Sequence, residues 1–153
     1  MCLMALVVCS SGGSVQVSDV GADSGIEESD FLWFENKDGT VTITKYIGAD
    51  EMVVIPSEIE GKKVKNIDLD PINHGGNTQE VKYLNISEGI INIISNSFYQ
   101  CKKLESVSLP STLQTIGDNA FKYCNNLKEI NLPESLTNIG DSSFEDCVRL
   151  ENT

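Results

Sequence analysis

The sequence is short of the residues that most catalytic and metal sites need. Its 153 residues contain one histidine, His74, in the segment NHGGN, and its five cysteines form no CxxC motif. A structural zinc needs four converging ligands, and a Ser–His or Cys–His mechanism would have to use that one imidazole. No GxSxG, SxxK or HExxH motif accompanies it. The sequence therefore predicts no enzyme, no catalytic residue, no metal site and no cofactor, and it favours a solvated loop position for His74.

Basic residues are also scarce, since 11 of them stand against 23 acidic ones, for a net charge of −12. Simple repulsion makes nucleic acid and anionic membrane surfaces poor partners for such a chain. No apolar run approaches the roughly 20 residues that a transmembrane helix needs. Residues 19–30 hold no base and five acids: Asp19, Asp23, Glu27, Glu28 and Asp30. This segment is typical of a solvated linker, with cation binding as the alternative.

The first residues resemble the end of a secretory signal. Residues 2–9 are continuously apolar and precede a Ser/Gly-rich stretch, although no Lys or Arg comes before them. The segment Leu6 to Cys9 also resembles the lipobox of bacterial lipoproteins, with Val8 where that pattern has a small residue. We predict a partial leader and acidic linker over residues 1–30, export, and membrane attachment only by a lipid on Cys9. The alternative is a misassigned start that leaves a shortened leader.

Two stretches of twelve residues are nearly identical. IGDNAFKYCNNL begins at residue 116 and IGDSSFEDCVRL at residue 139, an interval of 23. With this period the hydrophobic residues align in columns: Val81/Leu104/Leu127, Leu84/Val107/Ile130, Ile90/Leu113/Leu136, Ile93/Ile116/Ile139, Phe98/Phe121/Phe144 and Cys101/Cys124/Cys147. Upstream, Ile55 matches Leu132, and Ile67 matches Ile139 only after an insertion around residues 61–65. The link that then leads to Val81, residues 73–80, is longer than its counterparts. A fixed period of this length indicates a repeat architecture.

The spacing within one repeat predicts one coil of a solenoid. Val107 and Leu109 suit a short strand that turns both side chains inward, and Pro110 suits the strand's end because it has no amide to donate. We expect Gly117 and Gly140 to bend the chain at a φ closed to other residues. Each coil then returns about 4.8 Å further along, and coils need neighbours to cover their apolar edges.

The cysteine column is interpreted as packing. Cys101, Cys124 and Cys147 would stack roughly 5 Å apart, each beside a phenylalanine. Free cysteine is among the most buried residue types, so we expect three small buried side chains, with bridging of neighbouring thiols as the alternative.

The segments LxxVxLPxxLxxIGxxAFxxC and LxxIxLPxxLxxIGxxxFxxC, which begin at Leu104 and Leu127, resemble the BspA-type leucine-rich repeats. The resemblance covers residues 53–153, and FLWFENKDGTVTITKYIG resembles the segment that often precedes such repeats. It implies a leucine-rich-repeat solenoid, mainly β with short irregular convex segments. It also implies a secreted or surface-attached protein that works by adhesion or binding.

We expect two structured parts after the linker. Residues 31–52 are predicted to form an N-terminal β-hairpin cap that turns at Asp38-Gly39, and residues 53–153 to form the repeats, the last one truncated. The C-terminal cap is expected to be missing. Its open edge would either continue into further repeats or support self-association with a second copy.

The outward face of the strand ladder is the predicted binding surface, because extended repeat surfaces are used in this way. Its columns are Lys82, Glu105 and Lys128; Tyr83, Ser106 and Glu129; and Asn85, Ser108 and Asn131. The expected ligand is a protein, or an extracellular-matrix or glycan component. Two alternatives stay open, namely a structural spacer of a longer surface protein and an intracellular protein-binding scaffold.

Two weaker patterns also occur. Asp68, Asp70 and Asn77 form an oxygen-rich group, but Ile72 occupies a ligand position of the EF-hand spacing. Asn85 begins an N-glycosylation sequon, yet it lies within a predicted strand. Neither pattern predicts a site.

Overall fold

The computed structural model of the chain describes residues 27–151. Strands are short and helix is almost absent in this range, where two 3-10 turns lie at Glu28–Asp30 and Thr78–Glu80. The strands are β1 Phe31–Glu35, β2 Val41–Tyr46, β3 Met52–Ile55, β4 Glu58–Ile59, β5 Lys62–Ile67, β6 Tyr83–Ile86, β7 Asn92–Ile93, β8 Ser106–Ser108, β9 Thr115–Ile116, β10 Glu129–Ile130 and β11 Asn138–Ile139.

The strands form two sheets along the axis of a solenoid. The ladder sheet has the order β3-β6-β8-β10 and is parallel throughout. The second sheet has the order β1-β2-β5-β7-β9-β11, parallel from β2 onward, with β4 attached to β5. Each coil contributes one strand to each sheet, so neighbouring coils share backbone hydrogen bonds. The predicted solenoid is confirmed.

The register confirms the 23-residue period and its irregular start. Ile93 pairs with Ile116, and Ile116 with Ile139, each one period apart. The upstream alignment also holds, since Ile55 pairs with Ile86 and Ile67 with Ile93. The inserted residues between β4 and β5 make a separate hairpin, in which Glu60 and Gly61 both have positive φ, as a two-residue type I′ turn requires.

The core is built from the repeat columns. Phe98 and Phe121 stack with ring centroids 5.1 Å apart, and Phe121 and Phe144 with centroids 5.4 Å apart. Cys101, Cys124 and Cys147 are buried free thiols, as expected from packing. The Sγ of Cys124 donates to the Phe98 carbonyl at 3.2 Å, and that of Cys147 donates to the Phe121 carbonyl at 3.1 Å. Each of these two thiols therefore connects its coil to the one before.

The prediction that Gly117 and Gly140 bend the chain at a φ closed to other residues was wrong. Neither Gly117 nor Gly140 has a positive φ. Their Cα atoms instead face the preceding coil, so a Cβ on Gly117 would lie 2.5 Å from the Ser95 backbone nitrogen, and one on Gly140 would collide with the Asp118 backbone nitrogen. These glycines are needed because two backbones approach closely, not because the chain turns left-handed there.

Left-handed residues occur elsewhere in each of the last three coils. Two sets of non-glycine residues have φ between +54° and +63°, spaced 23 residues apart: Asn96, Asn119 and Ser142, and then Gln100, Tyr123 and Asp146. They bracket the phenylalanine and let the chain fold tightly around it. Asparagine and aspartate tolerate this conformation through local hydrogen bonds, whereas tyrosine does so at a cost.

An antiparallel hairpin extends the second sheet at its N-terminal end. β1 and β2 are joined through residues 36–40, where Gly39 has φ +82° at the predicted Asp38-Gly39 turn. Phe31 and Tyr46 face inward with ring centroids 5.3 Å apart. β2 then pairs with β5, so the hairpin joins directly onto the first coil. Its role as a cap stays a prediction.

Candidate functional site

The solvent side of the ladder sheet, here called the ladder face, brings the predicted binding residues together. Tyr83, Ser106 and Glu129 occupy one row across β6, β8 and β10, because Tyr83 pairs with Ser106 and Ser106 with Glu129. Asn85 pairs with Ser108 in a second row, and Asn131 directly follows β10. The alternation of a strand turns Leu84 and Val107 inward and these rows outward.

The row of Tyr83 begins one strand earlier than the sequence predicted. Met52 on β3 pairs with Tyr83, and the two side chains are 58% and 43% exposed. The alignment of the repeats within this sequence missed Met52, because the inserted residues place it 31 positions before Tyr83 instead of 23. Aligning Ile55 with Ile86 also aligns Met52 with Tyr83, so the sequence alone could have predicted that Met52 belongs to this row.

Charged residues of opposite sign stack along one margin of the ladder face. The amides of Lys82, Glu105 and Lys128 each donate to the carbonyl of the residue one coil before, which are Glu51, Lys82 and Glu105. Their side chains form ion pairs between neighbouring coils: Lys82 Nζ lies 2.8 Å from Glu51 Oε1, and Lys128 Nζ lies 2.6 Å from Glu105 Oε2. The hydrogen bond to Glu51 raises the pKa of Lys82, and that from Lys128 lowers the pKa of Glu105.

These pairs change the interpretation of three predicted contact residues. Lys82, Glu105 and Lys128 are engaged in ion pairs along this margin, so a partner would have to compete with an existing ion pair for each of them. The row of Met52 and Tyr83 carries one charged residue, Glu129, at its C-terminal end. Its uncharged part, where Met52 and Tyr83 are exposed, is where contact area can form without that competition.

The second sheet carries a different outward surface, here called the polar ladder. Hydrogen bonds between side chains run from strand to strand: Asn66 Nδ2 to Thr42 Oγ1 at 3.0 Å, Asn92 Nδ2 to Asn66 Oδ1 at 2.7 Å, and Thr115 Oγ1 to Asn92 Oδ1 at 2.6 Å. At the N-terminal end, Thr42 Oγ1 donates to Asn36 Oδ1 at 3.1 Å. Its members bond to each other, so this surface stabilises the solenoid.

The histidine and the oxygen-rich group lie in the loop after β5. His74 Nε2 lies 3.3 Å from Asp68 Oδ2, and its amide donates to the Asp70 carbonyl at 2.9 Å. The buried Asp70 carboxylate accepts hydrogen bonds from the amides of Ile72 and Asn73. Asn77 is turned away and donates its Nδ2 to the carbonyls of Ile47 and Gly48 at 3.0 and 2.7 Å. Asp70 therefore bonds within the loop and Asn77 to the segment after β2, so the oxygen-rich group does not converge on one point.

The predicted leader, Cys9 and most of the acidic linker lie outside the described residues. In the part of the chain that the structure describes, no helix has the length and apolar character to cross a membrane.

Comparison with solved structures gives bacterial leucine-rich repeat proteins. A T. pallidum leucine-rich repeat protein matches with TM-score 0.64 and 24% identity over 82% of this chain. A leucine-rich cell surface protein of Faecalibacterium prausnitzii matches with TM-score 0.67 and 25% identity over 94% of this chain. A leucine-rich repeat protein of Bacteroides ovatus matches with TM-score 0.65 and 25% identity over 81%. This chain spans 68%, 37% and 33% of the lengths of these three proteins.

Among curated proteins, no significant sequence match was found. The family described as BspA type leucine rich repeat region matches residues 76–153 in six copies. Together with the 23-residue period and the strand register, this match means that the chain belongs to the BspA-type leucine-rich repeat family.

Proposed function

We propose that the chain is a non-catalytic binding module, secreted or surface-attached, that recognises a protein through the ladder face and so serves adhesion. One observation carries this proposal. Met52 and Tyr83 lie in register on two hydrogen-bonded parallel strands, both exposed, beside a margin of charges that are already paired. Family membership supports a binding role in general, and the similarity to a cell surface protein of Faecalibacterium prausnitzii supports the location.

The chemistry of the ladder face favours a protein as its ligand. Tyrosine and methionine are enriched in the contact cores of protein interfaces, where they add apolar area, and tyrosine does so at low entropic cost. The hydroxyl and amide groups of Ser106, Asn85 and Ser108 supply adaptable hydrogen bonds beside them. The ion-paired margin resembles the polar rim that surrounds such a core and excludes water.

The hydrogen-bonded backbone of the ladder sheet also supports binding through the ladder face. The amide of Tyr83 donates to the Glu51 carbonyl at 2.9 Å, and the amide of Glu105 donates to the Lys82 carbonyl at 2.8 Å. The backbone that carries the contact residues is therefore held before binding, and the partner does not have to order it, which lowers the entropic cost of association.

The location belongs to the same proposal. Export by the apolar N-terminal segment and lipidation of Cys9 would place the ladder face outside the cell. In the native source, the wild-type chain should then be found with the membrane fraction and should carry a lipid mass on Cys9, whereas a Cys9→Ser chain should be released without it. A wild-type chain that stays in the cytosol and has no added mass would contradict export.

The experiment for the ladder face measures binding of the purified chain to an array of extracellular-matrix and cell-surface proteins. Tyr83→Ala and Met52→Ala should each weaken binding of any captured partner at least tenfold, because truncation removes an anchor from a contact core. Ile72→Ala is the matched control, since Ile72 is a large apolar residue, 65% exposed, on the loop after β5. Each variant is checked by circular dichroism and thermal unfolding.

The outcomes separate the proposal from its rival. Binding that is lost with Tyr83→Ala and retained with Ile72→Ala supports the ladder face. Binding that neither Tyr83→Ala nor Met52→Ala changes would contradict it. A folded chain that captures nothing favours the alternative function, a structural spacer within a longer surface protein.

A further inference from the structure

The strand β1 forms a surface that the proposed function does not use. We infer that the free edge of β1 is a docking site for an extended peptide strand that has apolar residues in its middle and a basic residue at the end that lies beside Asp30. This site lies on the second sheet, so it is separate from the ladder face.

The exposed side chains of β1 are unusually apolar. Phe31 is buried and Trp33 packs against the core, while Leu32 is 47% and Phe34 is 51% exposed. The two exposed residues are two positions apart on one strand and therefore project from the same face. Ile47, whose amide donates to the Asp30 carbonyl at 2.8 Å, is also exposed at the start of this strand. Large apolar side chains grouped in this way mark interaction sites in soluble proteins.

The backbone of β1 offers the second part of the site. Within residues 27–151, β1 pairs with β2 alone and stands at the end of the sheet order. An end strand leaves a row of amide and carbonyl groups free on its outer side, to which an extended peptide can add as a further strand. Natural edges are commonly protected by prolines, by lysines or by bulges that interrupt them. The sequence of β1, FLWFE, has no proline and no base, and its irregularity falls on the β2 side, where Thr44 is unpaired.

Charge selects the kind of strand that fits. Asp30 directly precedes β1 and Glu27 lies three residues before it, and neither forms an ion pair within residues 27–151. Glu35, at the other end of β1, is already paired with Lys62, whose Nζ lies 2.5 Å from Glu35 Oε2. A peptide that ends in lysine or arginine would therefore meet opposite charge beside Asp30, and lysine at both peptide ends allows this in either strand direction. A second copy of this chain suits the edge poorly, because parallel pairing of β1 with itself sets Asp30 beside Asp30, and each copy carries a net charge of −12.

The test uses a synthetic peptide, KVTVTVTK, and the full-length chain. Fluorescence anisotropy of the labelled peptide should show saturable binding that Leu32→Lys and Phe34→Lys each weaken at least tenfold, since each adds like charge and removes apolar contact. Ile72→Lys is the matched control and should leave affinity within about twofold. The same peptide N-methylated at alternate residues should not bind, because it cannot complete the backbone hydrogen bonds. Affinity should also fall as salt is raised.

Several results would overturn the inference. These are no saturable binding, equal affinity for the N-methylated peptide, or an equal loss with Ile72→Lys. A dimer in sedimentation velocity that Phe34→Lys dissociates would assign the edge to a second copy instead. If either lysine variant fails to fold, Leu32→Thr and Phe34→Thr keep the strand propensity and should still weaken binding. If these variants still bind the partner of the ladder face, the two surfaces act independently. If the ladder face binds no partner at all, the peptide test of the β1 edge is unaffected.

Discussion

At the scale of single residues, two backbone devices make one coil. Left-handed residues on both sides of the repeat phenylalanines Phe98, Phe121 and Phe144 close the bend, while Gly117 and Gly140 allow their coil to approach the backbone of the preceding one. The sequence displays the glycines more clearly than the left-handed positions, since Asn119, Ser142 and Tyr123 carry no common side chain. The sequence therefore pointed to the wrong residues for the turn. The glycine column marks contact between coils, and the bend is distributed over two other columns.

Gly117→Ala tests this distinction. The new Cβ would lie 2.5 Å from the Ser95 nitrogen and 2.8 Å from the Ile94 carbonyl carbon, both backbone atoms that cannot rotate away. Overpacking of this kind costs about 1–3 kcal/mol, more than the roughly 0.4–1 kcal/mol that alanine gains by restricting the unfolded chain. We therefore expect a net loss of stability, measured by urea unfolding.

The control for this variant is a glycine needed for its φ alone. Gly61 has φ +73° and open space around its Cα, and asparagine tolerates that conformation. Gly61→Asn should change the free energy of unfolding by less than about 0.5 kcal/mol, as expected for a surface site. A Gly117→Ala chain as stable as the wild type would mean that the coils can separate slightly at no cost.

At the scale of elements, the second sheet is held by side chains as well as by its backbone. The polar ladder places Asn66, Asn92 and Thr115 in one row, and each bonds to its neighbour. Because the strands β7, β9 and β11 have only two residues each, they supply few backbone hydrogen bonds. Charge-neutral side-chain bonds across the strands compensate for that shortness and also fix the register, since a one-residue shift would separate every pair.

Asn92→Ala should reveal how much the polar ladder contributes. The substitution leaves Asn66 Oδ1 without its donor and Thr115 Oγ1 without its acceptor, both at partly buried positions. Leaving such groups unpaired costs about 1–3 kcal/mol, and partial access to water places the expected loss near the lower end.

Asn138→Ala is the control in the same column. Asn138 pairs with Thr115 in register but is exposed, so its removal should cost less than about 0.5 kcal/mol. Both free energies come from urea unfolding of full-length chains. An equal loss for the two variants would mean that strand propensity, not the hydrogen-bond chain, decides stability at this column.

At the scale of the whole molecule, the period of the sequence predicted most of the fold. It predicted which coils are neighbours and most of the residues that face inward, because a residue and its match 23 positions later must stack if each coil returns to its start. Leu132 and Ile139, in the last described coil, are exceptions and are 47% and 44% exposed. Three features were not predicted by the period. Met52 was missed because an insertion shifts its count, and the pairing of Lys82 with Glu51 was missed for the same reason. The exposure of Leu32 and Phe34 was not predicted, because both residues precede the repeats and the 23-residue alignment does not include them.

A solenoid couples each coil only to its neighbours, so damage at one coil should stay near it. Phe121 is fully buried and stacks on Phe98 and Phe144, which makes it the central link of the aromatic column. Phe121→Ala should therefore destabilise the chain by about 3–5 kcal/mol, the range for large-to-small changes in a core. The matched control is Phe34→Ala, an exposed phenylalanine whose removal should cost under about 1 kcal/mol.

Hydrogen exchange followed by mass spectrometry can locate the effect. In Phe121→Ala, protection should fall at the amides that join the neighbouring coils, such as Phe98 to the Ala120 carbonyl and Phe121 to the Ser143 carbonyl. Amides of the hairpin β1–β2 should keep their protection, because the coil of β5 lies between them and the damage. If hairpin and coils lose protection together and to the same extent, the chain unfolds as one cooperative unit. Nearest-neighbour coupling would then be too strong for the coils to open separately.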